Sequence, residues 1–286
     1  PQHDKGDCKE FVERLLREDF GVGATSLSDE GRKLLQVQHD RVARALERLS
    51  VELYSHDSHF LYELLQNADD NTYDEGVVPS IEFVLFSECL VIRNNEHGFS
   101  HEDVRAICDV GRSTKTDAHG SDGGNTQARG GEKGIGFKAV FRVTDEPRIH
   151  SNGFHIQFSA FSKPVAYILP QWVASEPEYQ RKDWNTTMVL PWRPAVRAKL
   201  EEFAAQLSSI DPSSVLFLRR LRVVRIVDFI TDRTVHITLD CKHDSRFQMK
   251  NNKTELRTVN ANGDESRWLM VEERLTNPCL LYTSPS

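Results

Sequence analysis

The sequence predicts an α+β fold, and three observations lead to that prediction. Apolar residues recur at helical spacing through much of the first 71 residues. Two strand–turn–strand patterns follow, one at residues 80–95 and one around Asn152-Gly153. Further strand-like runs occupy the region after residue 220. Helices gathered ahead of hairpins are typical of an α+β fold.

Two helices are predicted ahead of the segment that carries the candidate site. Residues 7–17 have Phe11, Val12 and Leu15 at helical spacing, and the glycines at positions 21 and 23 end this helix. Residues 27–54 form a longer helical run with Lys and Arg on its outer side. The apolar side of that run is predicted to be buried, and it consists of Leu34, Leu35, Val42, Ala45, Leu46, Leu49 and Leu53.

The next helix, at residues 60–71, is the one around which we expect the chain to be organised. At about 100° per residue, the apolar residues of this segment share one side, which predicts a buried face. Glu63, Asn67 and Asp70 are spaced i, i+4, i+7 and fall within roughly 60° of each other on the opposite side. Two carboxylates and an amide would therefore line one face above an apolar floor.

The middle of the chain predicts short strands, helices and one long loop. Residues 80–86 and 89–95 form a hairpin, and Ser100 with Asp103 is a capping-box variant that opens a helix. Residues 113–130 are glycine-rich and polar, so they cannot bury a face and are expected to form a mobile loop. A short helix is expected at residues 135–141, and the Asn152-Gly153 turn joins a second hairpin at residues 148–160.

Later elements complete the secondary-structure prediction and suggest four regions. Strands are expected at residues 165–169 and 187–190, a helix at 196–207, and strands again beyond residue 220. We expect an N-terminal helical extension at 1–30, a nucleotide-binding domain at 31–194 and a partial second α/β segment at 195–278. Residues 279–286 resemble translated adapter sequence, so we expect a non-native tail, and we expect the whole to be a fragment of a longer protein.

Composition narrows the classes of partner and compartment. The chain has 36 basic and 43 acidic residues, a net charge of −7, which argues against unspecific binding to nucleic acid or to membrane surfaces. No apolar run approaches the ~18–20 residues of a membrane span. Five scattered cysteines indicate free thiols in a reducing, intracellular compartment, either nuclear or cytoplasmic.

Glu63 and Asn67 form a pair that suits nucleotide chemistry. Mg²⁺ takes one or two oxygen ligands from protein and the rest from phosphates and water, and the Asn67 amide oxygen is a candidate ligand. Glu63, one turn earlier, is a candidate general base for water that attacks the γ-phosphate of ATP. The alternative is a solvated polar helix face, which is the commoner fate of a lone Glu-x-x-x-Asn.

A glycine-rich segment ahead of a predicted helix adds a candidate phosphate site. Gly131, Gly134 and Gly136 would let backbone N–H groups approach phosphates near a helix N-terminus. A Walker A loop is excluded because Gly136 is followed by Phe137-Lys138 rather than by Lys and Ser or Thr. The order of acidic-amide helix, polar hairpin turn, glycine-rich segment and late strand predicts nucleotide binding more strongly than any one of these motifs.

Four stretches resemble the N-terminal ATPase region of the NO VEIN protein family and, more distantly, sacsin. They read ELYSHDSHFLYELLQNADDN, NNEHGFSHEDVRAICDVGRSTK, GEKGIGFKAVFRVTDEPRIHSNGFHIQF and YILP. The resemblance implies the Bergerat sandwich of the gyrase–chaperone–histidine kinase–MutL (GHKL) ATPases, a mixed and mostly antiparallel sheet with helices on one face. It also implies ATP and Mg²⁺ as cofactors.

The resemblance assigns roles to residues of this chain. Glu63 would be the general base, Asn67 the Mg²⁺ ligand and Asp70 a pocket residue, while residues 113–130 would form a lid over the nucleotide. Thr186 would contact the adenine side. The remaining implied nucleotide-binding residues are Asn94, Gly98, Ser113, Thr114, Gly131, Lys133, Gly134, Ile135, Gly136 and Phe137.

One departure from the superfamily pattern affects base recognition. The D-x-G-x-G turn, whose Asp accepts a hydrogen bond from the adenine amino group, reads Asn94-Asn95-Glu96-His97-Gly98. Asn94 stands at the Asp position and Glu96 at the first Gly, and an amide oxygen accepts more weakly than a carboxylate. This departure therefore bears on the expected affinity for adenine more than on the expected fold.

Two functions remain open at this point. One is an ATP-binding and slowly hydrolysing module that drives conformational change in a larger protein, with protein clients and a homodimer formed through regions outside this chain. The other is a nucleotide-sensing scaffold without turnover. Glu63 favours the first, and Asn94 with Glu96 favours the second. A protein histidine kinase is disfavoured because such kinases usually carry Asn where Glu63 stands.

Overall fold

The computed structural model describes residues 5–23, 28–52, 59–109, 136–162, 165–242 and 253–272. Six α-helices and two 3₁₀ helices occur in these ranges. The α-helices are α1 (Lys5–Glu18), α2 (Asp29–Glu52), α3 (His59–Asp70), α4 (His101–Cys108), α5 (Pro194–Arg197) and α6 (Leu200–Ser208). The 3₁₀ helices are η1 (Gly136–Arg142) and η2 (Pro212–Phe217).

Ten strands of the described part form one sheet. They are β1 (Ser80–Leu85), β2 (Cys89–Asn94), β3 (Arg148–Ser151), β4 (Phe154–Gln157), β5 (Gln171–Trp172), β6 (Thr186–Pro191), β7 (Val223–Asp228), β8 (Arg233–Lys242), β9 (Lys253–Ala261) and β10 (Asp264–Glu272). Their order is β10-β9-β8-β7-β1-β2-β6-β3-β4-β5. Among the strands of the described ranges, only β1 and β7 pair in parallel, so the fold is α+β with a mostly antiparallel open sheet, as predicted.

The β1–β2 hairpin shows how the sequence builds the two faces of this sheet. Phe83 pairs with Ile92, and both point into the main core, which also holds Leu64 and Leu65 of α3. Val84 pairs with Val91 on the other face. Because side chains alternate along a strand, every second residue of these apolar strands meets the helices. The main core contains residues of α1, α3, α4 and α6.

Two helices predicted from sequence pack beside the β3–β4 hairpin. The capping box of α4 is confirmed, since Ser100 and Asp103 exchange both hydrogen bonds. Phe11 of α1 contacts the ring of His101 at a centroid distance of 4.3 Å and that of Phe154 at 6.1 Å. The turn between β3 and β4 holds Asn152 at φ 48° and Gly153 at φ 91°, as the Asn-Gly pair predicts.

The sheet is continuous across the boundary predicted near residues 191–194. β7 lies directly beside β1, and β8 to β10 extend the sheet from there. A buried carboxylate fixes the entry to β7, because Asp69 of α3 accepts hydrogen bonds from the backbone N–H groups of Arg219, Arg220 and Leu221 at 2.7–2.9 Å. The C-terminal strands are therefore attached to the helix that carries the candidate site.

The face of the sheet away from the main core carries a row of polar side chains. Glu82 is 1% exposed and is paired with Arg93 at 2.6 Å and with Arg181 and Arg225 at 3.3 Å. Further along the row, His150 and His155 are joined through their Nδ1 atoms at 3.0 Å. Ion pairing offsets the cost of burying Glu82 and Arg93.

Three predictions about elements are wrong. Residues 165–169 form turns rather than a strand, with Tyr167 at a φ of 72°. Leu34 and Val42 of α2 were predicted to be buried, but they are 64% and 37% exposed. The helix predicted at residues 196–207 is divided into α5 and α6.

No helix in the described ranges is long and apolar enough to cross a bilayer.

Candidate functional site

A cavity opens between the helices and the centre of the sheet. Its walls come from α3, α4 and the start of η1 on one side and from β1, β2 and β6 on the other. Its apolar lining consists of Leu64, Ala68, Ile81, Ile92, Phe99, Ile107, Phe137 and Met188. Its polar lining consists of Asn67, Asn71, Asn94, Glu96, Asp103 and Thr186.

The cavity brings together four residues that the sequence singled out separately. Asn67, Asn94, Phe137 and Thr186 are distant in the chain, yet all four line it. The strand pairing explains part of this, because Asn94 at the end of β2 pairs with Thr186 at the start of β6. Asn67 is half-buried, and among the described residues no side chain hydrogen-bonds to its amide, which lines the cavity.

Asn94 is held by three neighbours. Its Nδ2 donates to the Ser80 carbonyl oxygen and to the Tyr73 hydroxyl, both at 2.9 Å, and its Oδ1 accepts from Asn71 Nδ2 at 3.1 Å. The Ser80 carbonyl can only accept, which fixes the orientation of the amide. The Tyr73 hydroxyl in turn donates to Ala68 of α3 at 2.6 Å, and burial raises the pKa of this tyrosine.

Glu96 is a cavity residue that the sequence reasoning did not assign to the site. It is 5% exposed, and its Oε1 accepts a hydrogen bond from the Thr186 hydroxyl at 2.6 Å. The Thr186 oxygen lies 2.6 Å from Ser151 Oγ, which accepts the Phe99 N–H at 2.8 Å. The one available signal was a carboxylate at a position where the superfamily pattern has glycine.

Gly98 has a steric reason to be glycine. Its φ is +89°, and a Cβ atom there would lie 2.8 Å from Asn152 Cβ. The turn after β2 is therefore pressed against the β3–β4 turn, and both turns border the hydrogen-bonded chain from Ser151 to Glu96. Gly98 itself is not among the described residues that line the cavity.

Two predicted residues of α3 lie away from the described lining. Glu63 is half-buried one turn before Asn67, and it is not among the lining residues. Asp70 lines a second pocket instead, together with Tyr62, Asp69 and Arg219. The three polar residues of the predicted face thus do not share one cavity.

The glycine-rich segment is described only at its end. Gly136 is the first residue of η1, and Phe137 contributes its ring to the cavity. The predictions for Ser113, Thr114, Gly131, Lys133, Gly134 and Ile135 fall outside the described residues, as does the predicted lid at 113–130.

Lys138 is a buried cation close to the cavity. Its Nζ donates to the backbone oxygens of Ile107 and Tyr167 at 2.7 and 3.0 Å and lies 5.2 Å from the ring centroids of Phe137 and Phe158. Burial lowers the pKa of this lysine to about 7, and burial raises the pKa of the neighbouring Cys108 thiol to about 12. Within the described ranges, no group of three His, Cys, Asp or Glu side chains could hold a metal ion.

Comparisons with known proteins give one relative. No protein-family model matches the chain. The chain is 43% identical to "Protein NO VEIN" of Arabidopsis thaliana over an alignment of 228 residues, which covers 74% of this chain. It spans 8% of the length of that protein. The predicted resemblance to NO VEIN is thus confirmed, and the chain is similar to that protein over most of its own length.

Proposed function

We propose that the cavity is the base-binding part of an ATP site in a Bergerat-type fold of the GHKL class, related more distantly to sacsin. The observation that carries the proposal is the meeting of Asn67, Asn94 and Thr186 in one cavity. These residues belong to three motifs that were selected from sequence for nucleotide binding alone. A cavity that resulted only from packing would give no reason for three such polar side chains beside an apolar wall.

The size of the cavity supports placing only part of a nucleotide in it. It encloses about 80 Å³, below the roughly 300–1,000 Å³ of typical small-molecule sites. We therefore place the base inside, between apolar side chains such as Ile92 and Met188, and the phosphates outside. Asn67 lines the cavity from α3, and we assign it to the phosphate side.

The side-chain oxygen of Asn67 fits a nucleotide that is bound together with Mg²⁺. The Asn67 oxygen is neutral and half-buried, which suits a cation that already carries phosphate and water oxygens. When bound, Mg²⁺ would neutralise charge on the phosphates. The role of this chain is to orient the nucleotide and to exclude water from the base through the apolar wall.

Titration calorimetry with Asn67→Ala tests this assignment. Wild-type protein should bind ATP more tightly with Mg²⁺ than without it, and Asn67→Ala should lose that difference while its circular dichroism is unchanged. Gln66→Ala is the matched control, because Gln66 is exposed on the same helix and does not line the cavity. Equal magnesium dependence in wild type and Asn67→Ala would remove the metal assignment.

A bound nucleotide has two alternative fates in this site, hydrolysis or binding without turnover. Hydrolysis uses Glu63 as general base, a role typically worth 10²–10⁴-fold in rate. A non-hydrolysing scaffold is the second candidate, and the observation that favours it is that Glu63 lies outside the described lining. Glu63→Ala should abolish turnover and leave ATP affinity within a few-fold if Glu63 is the base. Wild-type turnover no higher than that of Glu63→Ala would favour the scaffold.

The wider function rests on the larger protein. We propose that the site drives or reports a conformational change passed to protein clients, and that regions outside this chain form a homodimer. The scattered cysteines, of which Cys8, Cys89, Cys108 and Cys241 are free thiols, support a reducing, intracellular compartment.

A further inference from the structure

We propose that Glu96, rather than Asn94, recognises the amino group of the base. This inference rests on the proposed nucleotide site and deepens it by naming the residue that selects an amino-substituted purine. It departs from the superfamily pattern, in which the residue at the Asn94 position has that role.

The surroundings of Asn94 argue that it supports the cavity wall. Both of its amide hydrogens are used, one on the Ser80 carbonyl and one on the Tyr73 hydroxyl, and its oxygen already accepts from Asn71. These contacts connect the end of β2 to the start of β1 and, through Tyr73, to α3. A base amino group would have to share a neutral oxygen that already accepts one hydrogen bond.

The surroundings of Glu96 argue that it is an acceptor for a ligand. Its carboxylate is buried beside the apolar wall of the same cavity, and its Oε1 accepts from Thr186. A carboxylate is charged and has about four acceptor positions, whereas the amide oxygen of Asn94 is neutral and has two. An N–H group of a ligand would add a charge-assisted hydrogen bond, which is roughly twice as strong as a neutral one.

The hydrogen bonds that run from Ser151 through Thr186 to Glu96 determine which groups donate and which accept at the Glu96 end of the cavity. Thr186 has one hydroxyl proton and gives it to Glu96, so its oxygen accepts the hydroxyl proton of Ser151. Ser151 also accepts the Phe99 N–H, which holds the chain at its far end. Thr186 is therefore a positioning residue for Glu96, and the cavity presents an acceptor to the edge of the base.

This polarity predicts which bases are accepted. A purine with an amino group opposite Glu96 would gain a hydrogen bond to a charged acceptor. A purine with a carbonyl oxygen there would face a buried carboxylate without a proton between them. Adenine carries the amino group at its 6-position, so ATP should bind better than its 6-oxo counterpart, inosine triphosphate.

A cycle of two ligands and two proteins tests the proposal. Binding of ATP and of purine riboside triphosphate, which lacks the 6-amino group, is measured by calorimetry for wild type and for Glu96→Gln. Wild type should bind ATP about 10- to 100-fold more tightly than the analogue, the range expected for one hydrogen bond to a charged group. Glu96→Gln should weaken ATP binding by at least about 10-fold and change the affinity of the analogue by less than about 3-fold.

The controls separate this inference from the proposed site. Glu102→Gln makes the same change at an exposed residue of α4 and should leave both affinities unchanged. Wild type that binds neither nucleotide contradicts the ATP site itself. Wild type that binds ATP and the analogue equally, or Glu96→Gln that loses both ligands equally, overturns only the role of Glu96. Tighter binding of GTP than of ATP would overturn the choice of adenine. If Glu96→Gln does not fold, wild type that binds both ligands equally still overturns the proposal, and Asn94→Asp decides between the two residues, because tighter ATP binding in that variant would return the role to Asn94.

Discussion

At the scale of single residues, the buried ion pairs of the outer sheet face are the most sensitive contacts. Glu82 is almost fully buried, and so is its closest partner Arg93, whereas Arg181 and Arg225 are about half exposed. Removing one member of a buried pair leaves the other charged and without its partner, which costs about 3–5 kcal/mol. Exposed pairs contribute about 0–1 kcal/mol.

Glu82→Gln should therefore lower the free energy of unfolding by about 3 kcal/mol, because Arg93 would lose its buried counter-charge. Arg181→Gln and Arg225→Gln should each cost about 1 kcal/mol or less. Urea denaturation measures all three, with exposed Glu75→Gln as control. A Glu82→Gln protein as stable as wild type would show that the cluster contributes no net stability.

Lys138 predicts a dependence of stability on pH. Burial lowers its pKa from 10.5 to about 7 in the folded protein, so between these pH values the unfolded chain binds more protons than the folded one. The free energy of unfolding should therefore rise with pH from about 7 toward 10.5 through this residue. Lys138→Met should remove that part of the rise.

The measurement is the difference in unfolding free energy between wild type and Lys138→Met at several pH values. Groups that do not interact with Lys138 cancel in the difference, and Cys108, whose thiol interacts with Lys138, is replaced by Ala in both proteins. The exposed Lys199→Met is the matched control. A difference between wild type and Lys138→Met that is constant from pH 7 to pH 10.5 would contradict the lowered pKa.

Residue Asn94 shows what sequence alone could and could not predict. Its place in the turn after a hairpin was readable from the order of motifs, and the structure places it in the cavity. Its partners were not readable, because Ser80, Tyr73 and Asn71 reach it only when β1, β2 and α3 assemble. Because an amide oxygen accepts more weakly than a carboxylate, the sequence alone predicts that Asn94→Asp raises adenine affinity. In the structure, a carboxylate there would lose the donor to Ser80.

Asn94→Asp should therefore destabilise the protein by about 1–3 kcal/mol, because the Ser80 carbonyl would face an acceptor at 2.9 Å. Thermal unfolding with and without ATP distinguishes the two expectations. Unchanged stability together with tighter ATP binding would restore Asn94 as the base acceptor and count against Glu96.

At the scale of elements, hydrogen bonds between Asp69 of α3 and the entry to β7 connect the site to the C-terminal strands. We call this set of hydrogen bonds the clamp. Asp69 accepts from three consecutive backbone N–H groups, and its neighbour Asp70 faces a different pocket. Local helical periodicity predicted the buried face of α3 correctly, since Leu61, Leu64 and Ala68 are at most 3% exposed. It could not predict the clamp, whose partners lie about 150 residues away.

Asp69→Asn should lower the free energy of unfolding by about 2–3 kcal/mol, because the amide nitrogen would face backbone donors in place of an oxygen. Asp264→Asn is a control on an exposed strand residue. If ATP binding weakens in Asp69→Asn at a temperature where the protein is folded, the clamp also holds α3 in position for the ligand. Wild-type stability in Asp69→Asn would argue that other contacts fix the entry to β7.

At the scale of the whole molecule, the hairpins, the helical periodicity and the order of elements were enough to predict the fold class. They were not enough to predict that β7 inserts next to β1, because that parallel pairing depends on a connection of more than a hundred residues. The continuous sheet leads us to expect cooperative unfolding of the described strands. Circular dichroism and tryptophan fluorescence should give coincident transitions. Two separate transitions would support an independent segment after residue 194.

We propose that a nucleotide base occupies the cavity between α3, α4 and the strands β1, β2 and β6. Photolabelling with an azido-adenine analogue of ATP, followed by mass spectrometry of the labelled peptides, tests it most directly. The label should appear on peptides that contain cavity residues such as Ile92, Phe137 or Met188, and excess ATP should prevent the labelling. Labelling that ATP does not prevent, or that maps to the second pocket beside Asp70, would contradict the account.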